Sequence, residues 1–484
     1  MFAKNLGALA ARQPTQPGLI VQDDQDVRGF RWWTWADVYE AVTEARRESL
    51  GRFSPGEPVA IIMAPEAEAV CTLCAAASLG SPAILVPASL RRDELGTLLR
   101  DSAARWLFVP PRLSRAIDLQ LDLGQDSGSG WVRLSRHPSR TGAPAVETLP
   151  PDAFICQLTS GSMGSSRLAV RTVEGVLLEL HAVIDRLDLD AADQVLCASS
   201  IAHSYGLIGG VLAPLLVGAP VAVVGDARQA CAVVEVVDPT VVFGLASTYR
   251  SMVTERVDKA SLSRTRFALS AGAPLDADLF RAFHEQFGLP IRQDYGTTEA
   301  GTLAIDTSED VIEGCVGKPL SHLELRLKAP VSVPLGPREE GEIQIRSPSV
   351  AVGYLTPQRL LPVVDGNGWY HTKDAGWLDA SGRLWVGRRL RESVMVRGTE
   401  VRLETIEEAI RQLPGVEEVV AYAADLGNGQ AGIKAIVVAP DLDVSAVRQW
   451  CLDHLPPPHC PTHIELRAEL PRSPAGKILQ KYLA

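Results

Sequence analysis

The chain has 484 residues, of which 46% are hydrophobic and 22% charged, and its formal net charge is −11. This length exceeds that of one typical domain, so we expect two or three domains with a well-buried core. The acidic balance excludes a broadly basic surface for nucleic acid. Because the N-terminal residues show no signal-peptide pattern, we predict a cytoplasmic protein. Because the charge balance is acidic, we predict no nucleic-acid partner.

An uncharged and mostly apolar segment at 205–224 is long enough to cross a bilayer. The turn residues 218–220 divide it into a helix-length piece and a strand, which predicts two buried elements and no membrane span. Cys71 and Cys74 lie in an alanine-rich helical pattern, which favours packing in the core. The segment 451–463 combines histidines with cysteines, but its run of three prolines and its ligand spacings disfavour a zinc site.

Short apolar runs alternate with helix-period segments from about residue 58 to about residue 315. Strands are predicted at 59–63, 83–87, 106–110, 195–199, 220–225, 241–246, 267–272 and 291–296, and helices at 66–79, 92–103 and 275–288. Strands that alternate with helices predict an α/β fold of doubly wound parallel sheets with helices on both faces. Ligands of such sheets bind at the carboxyl ends of the strands.

The pattern changes after residue 315. Short alternating strands at 323–328, 341–347 and 383–388, bounded by Gly, Pro and Asp, predict a β-rich subdomain. A compact tail follows, with helices predicted at 403–413 and 443–454 and strands at 416–424 and 432–440. We therefore predict a large N-terminal domain over 1–390 and a small, mobile α+β domain over 391–484.

A loop rich in serine and glycine, TSGSMGSSR, occupies residues 159–167 after a predicted strand. It suits either a flexible linker or a phosphate site built from backbone N–H groups and hydroxyls. The common nucleoside-triphosphate loop, G-x-x-x-x-G-K-[ST], does not describe it. Gly161 and Gly164 are only three residues apart, and the residues after Arg167 have the pattern of a strand.

Six further motifs follow this loop in order: SAGAP (270–274), QDYGTTEAG (293–301), WYHTKDAGW (369–377), GRRLR (387–391), VRGTEV (396–401) and PRSPAGK (471–477). Together with the loop they resemble the adenylate-forming (AMP-binding) enzyme superfamily, in particular its acyl- and aryl-CoA synthetase branch, from about residue 30 to 484. The resemblance implies an AMP-forming acid–thiol ligase that makes acyl-AMP and then a thioester. It also implies ATP, Mg²⁺ and CoA, or a carrier-protein phosphopantetheine in place of CoA.

The resemblance assigns a nucleotide site. The residues at the phosphates are Thr159, Ser160, Gly161, Ser162, Gly164 and Arg167, and those at adenine are Gly272, Ala273, Pro274 and Tyr295. Gly296, Thr297 and Thr298 also bind the nucleotide, and Asp374 binds the ribose. Arg389 contacts the ribose or a phosphate; Arg388 is the rival for this place, but the spacing to Gly398 favours Arg389. Met163 and Ser166 depart from the family loop, in which a hydroxyl residue and a proline stand at these positions. Arg167 replaces the family lysine and keeps its positive charge. The linker hypothesis is therefore set aside.

The resemblance also assigns catalytic roles. Lys477 matches the catalytic lysine, whose ammonium suits the charge that builds at the α-phosphate. Thr298 reaches the α-phosphate, and Glu299 holds Mg²⁺, a hard ion that prefers carboxylate oxygen. Arg391 stands at the hinge about which the C-terminal domain turns between the two half-reactions. Met395 replaces a lysine that many relatives carry. If that lysine helps to hold the thiol acceptor, its replacement affects the second half-reaction, which forms the thioester.

The acid substrate is predicted to be apolar, either alkyl or aromatic. Family members that adenylate amino acids carry an aspartate where this chain has Ala202 and His203, so no carboxylate is present to pair an ammonium. The pocket residues implied by resemblance are His203, Phe243, Gly244, Ala271, Gly272 and Gly301. His203 suits a place between the acid pocket and the thiol tunnel, and a core histidine that caps a helix is the alternative.

Three other functions stay open: a stand-alone adenylation enzyme that hands acyl-AMP to another acceptor, a luciferase-like oxygenase, and a non-catalytic nucleotide-binding homologue. The joint presence of Lys477, Glu299, Asp374 and Arg389 argues against the last.

Overall fold

The structure is a computed structural model of the chain. It describes residues 2–23, 29–90, 92–102, 104–116, 123–124, 130–134, 149–159, 167–328, 340–356, 359–390, 393–396, 399–425 and 431–471. Two compact units are distinguished. The first contains the described residues up to Thr372 together with Gly376–Val386, and the second contains Lys373–Ala375 and the described residues from Gly387 onward. The predicted domain boundary at 390/391 stays a prediction.

Most strands lie in the first unit. They are β1 (Pro17–Gln22), β2 (Phe30–Thr34), β3 (Val59–Met63), β4 (Ala83–Pro87), β5 (Trp106–Phe108), β6 (Leu123–Gly124), β7 (Trp131–Leu134), β8 (Ala153–Thr159), β9 (Arg167–Thr172), β10 (Val195–Cys197), β11 (Val221–Val223), β12 (Val241–Gly244), β13 (Phe267–Ser270), β14 (Ile291–Thr297), β15 (Gly301–Ile305), β16 (Lys318–Pro319), β17 (Glu324–Lys328), β18 (Gly341–Arg346), β19 (Gly353–Leu355), β20 (Leu360–Leu361), β21 (Tyr370–Leu378) and β22 (Leu384–Arg389), the last two of which extend into the second unit.

The helices of the first unit are α1 (Phe2–Arg12), α2 (Trp35–Leu50), α3 (Ala67–Ser78), α4 (Arg92–Asp101), α5 (Pro111–Ala116), α6 (Val173–Leu187), a π-helix (Tyr205–Leu212), α7 (Ala213–Val217), α8 (Ala227–Val237), α9 (Ala246–Thr254), a 3₁₀-helix (Lys259–Leu262) and α10 (Ala277–Phe287). Their positions confirm the helices predicted near 66–79, 92–103 and 275–288.

Two large sheets have parallel centres. One has the strand order β16-β15-β14-β13-β12-β10-β11-β1-β2, and its strands from β14 to β1 pair in parallel. The other has the order β20-β19-β9-β8-β4-β3-β5-β7-β6, with β8, β4, β3 and β5 parallel. The α/β prediction is confirmed.

The edges of both sheets differ from the prediction because their strands pair antiparallel. For the β14–β15 pair the physical reason is the short connection. Only residues 298–300 join β14 to β15, whereas a parallel partner needs a crossover of a dozen or more residues. Short connections of this kind therefore turn the chain back on itself at the edge of a sheet.

The segment 205–224 is buried as two elements, as predicted. Its first part forms the π-helix and α7, and its second part contains the buried strand β11. Close packing depends on glycine, since a Cβ on Gly210 would lie 2.7 Å from the sulfur of Cys197. Among the described residues, no helix is both long and apolar enough to cross a membrane. Cys71 and Cys74 on α3 are also buried in the core, as expected.

The β-rich part forms a sheet with the order β17-β18-β21-β22, which confirms the strands predicted near 323–328, 341–347 and 383–388. Along β17, half-buried and exposed residues alternate, as expected for a strand with one solvated face. Trp377 and Trp385 stack on this sheet with ring centres 5.7 Å apart.

The second unit is a small α+β structure. Its elements are the hairpin β23 (Ser393–Val396) and β24 (Thr399–Arg402), helix α11 (Leu403–Arg411), strands β25 (Glu418–Asp425), β26 (Ala431–Val438) and β27 (His463–Leu466), helix α12 (Val444–His454) and a 3₁₀-helix (Pro457–His459). Strands β25, β26 and β27 form one sheet, and a single core joins it to both helices. The described residues contain no group of three or more His, Cys, Asp or Glu side chains that could hold a metal ion. His454 stacks on Trp450.

Candidate active site

The carboxyl ends of four neighbouring parallel strands define the candidate site. Strands β10, β12, β13 and β14 are adjacent in the sheet, and ligands of α/β sheets bind at such ends. Phe243 and Gly244 end β12, and Ala271 and Gly272 follow β13 directly. Gly301 begins β15 opposite Thr297, the last residue of β14. The structure therefore brings these predicted pocket residues to one edge of the sheet.

The two predicted walls of the adenine slot also lie on neighbouring strands. Gly272, Ala273 and Pro274 follow β13, and Tyr295 lies on β14, which pairs with β13 in parallel. The side chain of Gln293 on β14 accepts a hydrogen bond from the Leu275 N–H at 2.9 Å. This bond ties the segment after β13 to the strand that carries Tyr295.

The predicted acid pocket has an aromatic wall that sequence analysis missed. The ring of Tyr205 lies 5.4 Å from that of the fully buried Phe243. Its phenol donates to the carbonyl oxygens of Gly244 and Leu269 at 3.1 and 2.8 Å. Burial raises the pKa of Tyr205 well above its usual value, so the phenol stays a neutral donor. This wall is aromatic and uncharged.

His203 is exposed, immediately before the π-helix, so it is not a core histidine. Two hydrogen bonds hold the segment next to it. The Ser204 hydroxyl donates to Gln157 at 2.7 Å, and the Gln157 amide donates to the Ala202 carbonyl at 3.2 Å. Gln157 is fully buried on β8, so the start of the π-helix is tied to the second large sheet.

The predicted phosphate loop joins two antiparallel strands. Thr159, at the end of β8, lies opposite Arg167 at the start of β9. This is the strand-to-strand connection predicted from sequence. Its residues Ser160, Gly161, Ser162 and Gly164 lie outside the described residues. The Arg167 guanidinium carbon lies 5.4 Å from the centre of the Tyr354 ring, a cation–π contact.

Glu299, the predicted magnesium ligand, is held by two phenols. Tyr354 donates to one carboxylate oxygen at 2.9 Å and Tyr370 to the other at 3.0 Å. Burial, and then the charge of Glu299, raise the pKa of Tyr370 well above its usual value. A carboxylate offers about four lone-pair sites, so two phenols leave room for a metal. The group is an oxygen donor of the kind Mg²⁺ prefers, and the residues present fit the ion.

Sequence analysis did not assign a role to either tyrosine. Tyr370 lies inside the quoted motif WYHTKDAGW, next to Trp369, whose ring Arg326 and Arg346 contact. The available sign of a role for Tyr370 was its place in the same motif as Asp374, the predicted ribose residue. A strand pattern, however, does not show which distant side chain a phenol contacts.

A buried ion pair lies beneath the turn that carries Thr298 and Glu299. Arg171 on β9 and Glu179 on α6 are 2.6 Å apart, and both side chains are fully buried. Glu179 also accepts the N–H of Thr302 at 2.7 Å. Gly301 has φ +74°, and a Cβ there would collide with the Glu179 carboxylate. The pair therefore sets the path of the chain as it leaves the turn.

Two further titratable groups lie close to this pair. Burial, with a smaller contribution from Glu179, raises the pKa of Asp294 well above its usual value. Burial, assisted by Arg171, lowers the pKa of His322 to about 4. Both shifts favour the uncharged forms of these two side chains.

In the second unit, Asp374 is a buried residue inside β21 and does not lie in a turn. Lys373 before it has φ +61°, a left-handed conformation that costs energy for a residue other than glycine. The Lys373 carbonyl accepts the Leu390 N–H at 2.6 Å. Arg389 ends β22, while Arg391 and Lys477 lie outside the described residues.

The sequence matches the family model of AMP-binding enzymes over residues 8–355 and that of the AMP-binding enzyme C-terminal domain over residues 405–477. A feruloyl-CoA synthase from Amycolatopsis sp. is 30% identical, with 88% of each chain covered. A 2-succinylbenzoate–CoA ligase from Geobacillus kaustophilus is 28% identical, with 94% of this chain and 93% of that ligase covered. The fold is similar to that of ATP-bound MatB from Rhodopseudomonas palustris, with a TM-score of 0.71, 20% identity, and 100% and 98% of the two chains covered. The chain therefore belongs to the AMP-binding enzyme family.

Proposed function

We propose that this protein activates a carboxylic acid with ATP and joins it to the thiol of CoA, as an AMP-forming acid–thiol ligase. The observation that carries the proposal is the arrangement around Glu299. Tyr354 and Tyr370 hold its carboxylate at the carboxyl edge of the parallel sheet, with Arg167 in contact with Tyr354. Family membership and relatives that are named CoA ligases support the same activity.

The first half-reaction takes place at the α-phosphate of ATP. A carboxylate oxygen of the acid attacks the α-phosphorus, and the bond to the bridging oxygen of pyrophosphate breaks. Thr298 would donate its hydroxyl to the α-phosphate, and Lys477 would stabilise the charge that builds there. Mg²⁺ held by Glu299 would neutralise phosphate charge. Arg167 and the hydroxyls and N–H groups of the loop 159–167 would hold the outer phosphates.

The second half-reaction forms the thioester. The thiol of CoA releases its proton to the solvent, its sulfur forms a bond to the acyl carbonyl carbon, and AMP leaves with the electrons of the broken carbon–oxygen bond. His203 is exposed at the start of the π-helix, a position that suits a group between the acid pocket and the thiol. We include a hinge at Arg391 between the domains 1–390 and 391–484, since rotation of a small domain lets one site serve both halves. A carrier-protein pantetheine presents the same thiol as CoA.

The proposed substrate is an apolar acid, and an aromatic one in particular. The pocket wall of Tyr205, Phe243, Gly244 and Ala271 is uncharged, and Ala202 stands where amino-acid-activating relatives place a carboxylate. The relative named feruloyl-CoA synthase supports an aromatic acid.

This proposal predicts strong discrimination against amino acids. An ammonium buried without a partner is costly, so we expect the best alkyl or aryl acid to exceed every α-amino acid by at least about tenfold in kcat/KM, roughly 1.4 kcal/mol. The measurement is pyrophosphate release across a panel of carboxylic acids, with CoA, with phosphopantetheinyl carrier protein and with neither. Faster turnover of an amino acid would contradict the substrate class, and pyrophosphate release without any thioester would contradict the ligase.

The ribose assignment of Asp374 gives a separate prediction. Asp374→Asn keeps an acceptor but removes its charge, and charge-assisted hydrogen bonds are about twice as strong as neutral ones. We expect the KM for ATP to rise about tenfold with little change in kcat, a loss of roughly 1.4 kcal/mol. The neighbouring exchange Asp379→Asn is the control, because Asp379 bonds Ser381 and Arg383 in its own turn. A change of less than about twofold for Asp374→Asn would remove Asp374 from the nucleotide site.

A further inference from the structure

The turn that carries Glu299 is held by two hydrogen bonds. Within the turn, the N–H of Ala300 donates to the Thr297 hydroxyl at 3.1 Å. From strand β21, the Tyr370 phenol donates to the Glu299 carboxylate at 3.0 Å. Tyr370 therefore restrains the carboxylate that the turn presents.

A second arm holds the same carboxylate from strand β19. Tyr354 donates to the other oxygen of Glu299 at 2.9 Å, and the backbone carbonyl of Glu299 accepts the Ala351 N–H at 2.7 Å. The ring of Tyr354 makes a second contact, because its centre lies 5.4 Å from the guanidinium carbon of Arg167. One residue thus contacts both the predicted metal ligand and the predicted phosphate cation.

We propose that Tyr354 and Tyr370 are positioning residues of the magnesium–nucleotide site, which hold the Glu299 carboxylate in the orientation that binds the metal. Tyr354 has a second task, which is to place the Arg167 guanidinium through its ring. The proposal rests on the role of Glu299 as a metal ligand in the proposed function.

The two phenols preorganise the carboxylate. A free glutamate side chain rotates about three bonds, and ordering it costs conformational entropy. Two phenols that already occupy one lone pair on each oxygen remove most of that freedom before the ion arrives. Partners that orient a metal ligand in this way typically contribute about 10–100-fold to metal affinity. The phenol oxygens stay outside the metal's own ligand set.

The test measures binding and not turnover. Calorimetry of the purified full-length chain gives the Kd of a non-hydrolysable ATP analogue in saturating Mg²⁺ and again in EDTA. The ratio of the two constants is the enhancement of nucleotide binding by the metal. We expect Tyr354→Phe and Tyr370→Phe each to lower this ratio by about tenfold, while the Kd in EDTA stays within about twofold of the wild-type value.

Exchanges at Tyr354 separate its two tasks. Tyr354→Phe keeps the ring under Arg167, whereas Tyr354→Leu removes both the hydroxyl and the ring. We therefore expect only Tyr354→Leu to weaken binding of the analogue in EDTA as well, by several-fold. If Tyr354→Phe and Tyr354→Leu have the same Kd for the analogue in EDTA, the ring of Tyr354 does not position Arg167.

A matched control is Tyr249→Phe, which removes another buried phenol that donates to the Val242 and Leu269 carbonyls. Tyr249→Phe should lower the thermal midpoint of unfolding. The enhancement of nucleotide binding by the metal should stay within about twofold of the wild-type value. A wild-type ratio in both Tyr354→Phe and Tyr370→Phe would overturn the proposal.

Glu299→Gln distinguishes an error in the positioning role of the two tyrosines from an error in the proposed function. If Glu299→Gln lowers the ratio and the phenol variants do not, only the positioning role is wrong. If Glu299→Gln also keeps the wild-type ratio, the metal role of Glu299 is wrong and the positioning role falls with it. In the Glu299→Gln background, Tyr370→Phe should add no further loss, because the two residues act as one unit.

Discussion

Lys477→Ala is expected to lower the rate of acid-dependent pyrophosphate release by about 10²–10³-fold, the usual cost of removing one group that stabilises transition-state charge. Lys477 closes the motif PRSPAGK, and it is the last residue matched by the AMP-binding enzyme C-terminal model. Its ammonium carries a full positive charge, while negative charge builds on the α-phosphate only as the carboxylate attacks. The loss should therefore appear in kcat, with binding of ATP nearly unchanged.

The matched control is Lys481→Ala, four residues further along the same tail. Both variants lose one lysine near the C-terminus, so a general effect of charge would lower both rates equally. Single-turnover formation of pyrophosphate isolates the first half-reaction, and starting from synthetic acyl-AMP isolates the second. Adenylation by Lys477→Ala within tenfold of the wild-type rate would contradict the catalytic assignment.

Glu179→Gln is expected to lower the free energy of unfolding by about 3–5 kcal/mol, the typical cost of removing one partner from a buried ion pair. Glutamine keeps the shape of the side chain but removes its charge. Its single oxygen replaces only one of the two carboxylate oxygens, which accept from the Thr302 N–H and from Arg171, so its NH2 group faces the other donor. Arg171 would then keep its charge in a fully buried position. Among the described groups, one of its guanidinium nitrogens, Nη1, already has no partner. Chemical denaturation followed by tryptophan fluorescence measures the loss.

A double exchange is the control for this prediction. Arg171→Met with Glu179→Met removes both charges, and apolar replacement of a buried pair is often neutral or stabilising. We expect the double variant to recover most of the stability lost in Glu179→Gln. The same loss in both variants would show that shape and not charge is responsible. Because Glu179 bonds the strand that follows Glu299, Glu179→Gln should also weaken the metal enhancement of nucleotide binding.

The sequence by itself determined the elements and the order of the chemistry-bearing motifs. Strands β3 and β4 occupy 59–63 and 83–87 as predicted, because runs that are buried on both faces of a parallel sheet are continuously apolar. The motifs around Phe243 and Ala271 lie in or directly after such runs, and the resemblance to the family identified the motif around Tyr295. Parallel strands deliver the residues at their carboxyl ends to one edge of the sheet.

Only the tertiary structure decided which polar side chains meet. Tyr354 and Tyr370 are 55 and 71 residues from Glu299 in the chain, and no periodic pattern links them to it. Arg171 and Glu179 are separated by 8 residues on a strand and a helix, so their pairing depends on how α6 packs. The antiparallel pairing of β14 with β15 likewise follows from chain reversal at a short connection. Local hydrophobic periodicity records which face of an element is buried, whereas the partner of a buried polar group is set by packing between distant elements.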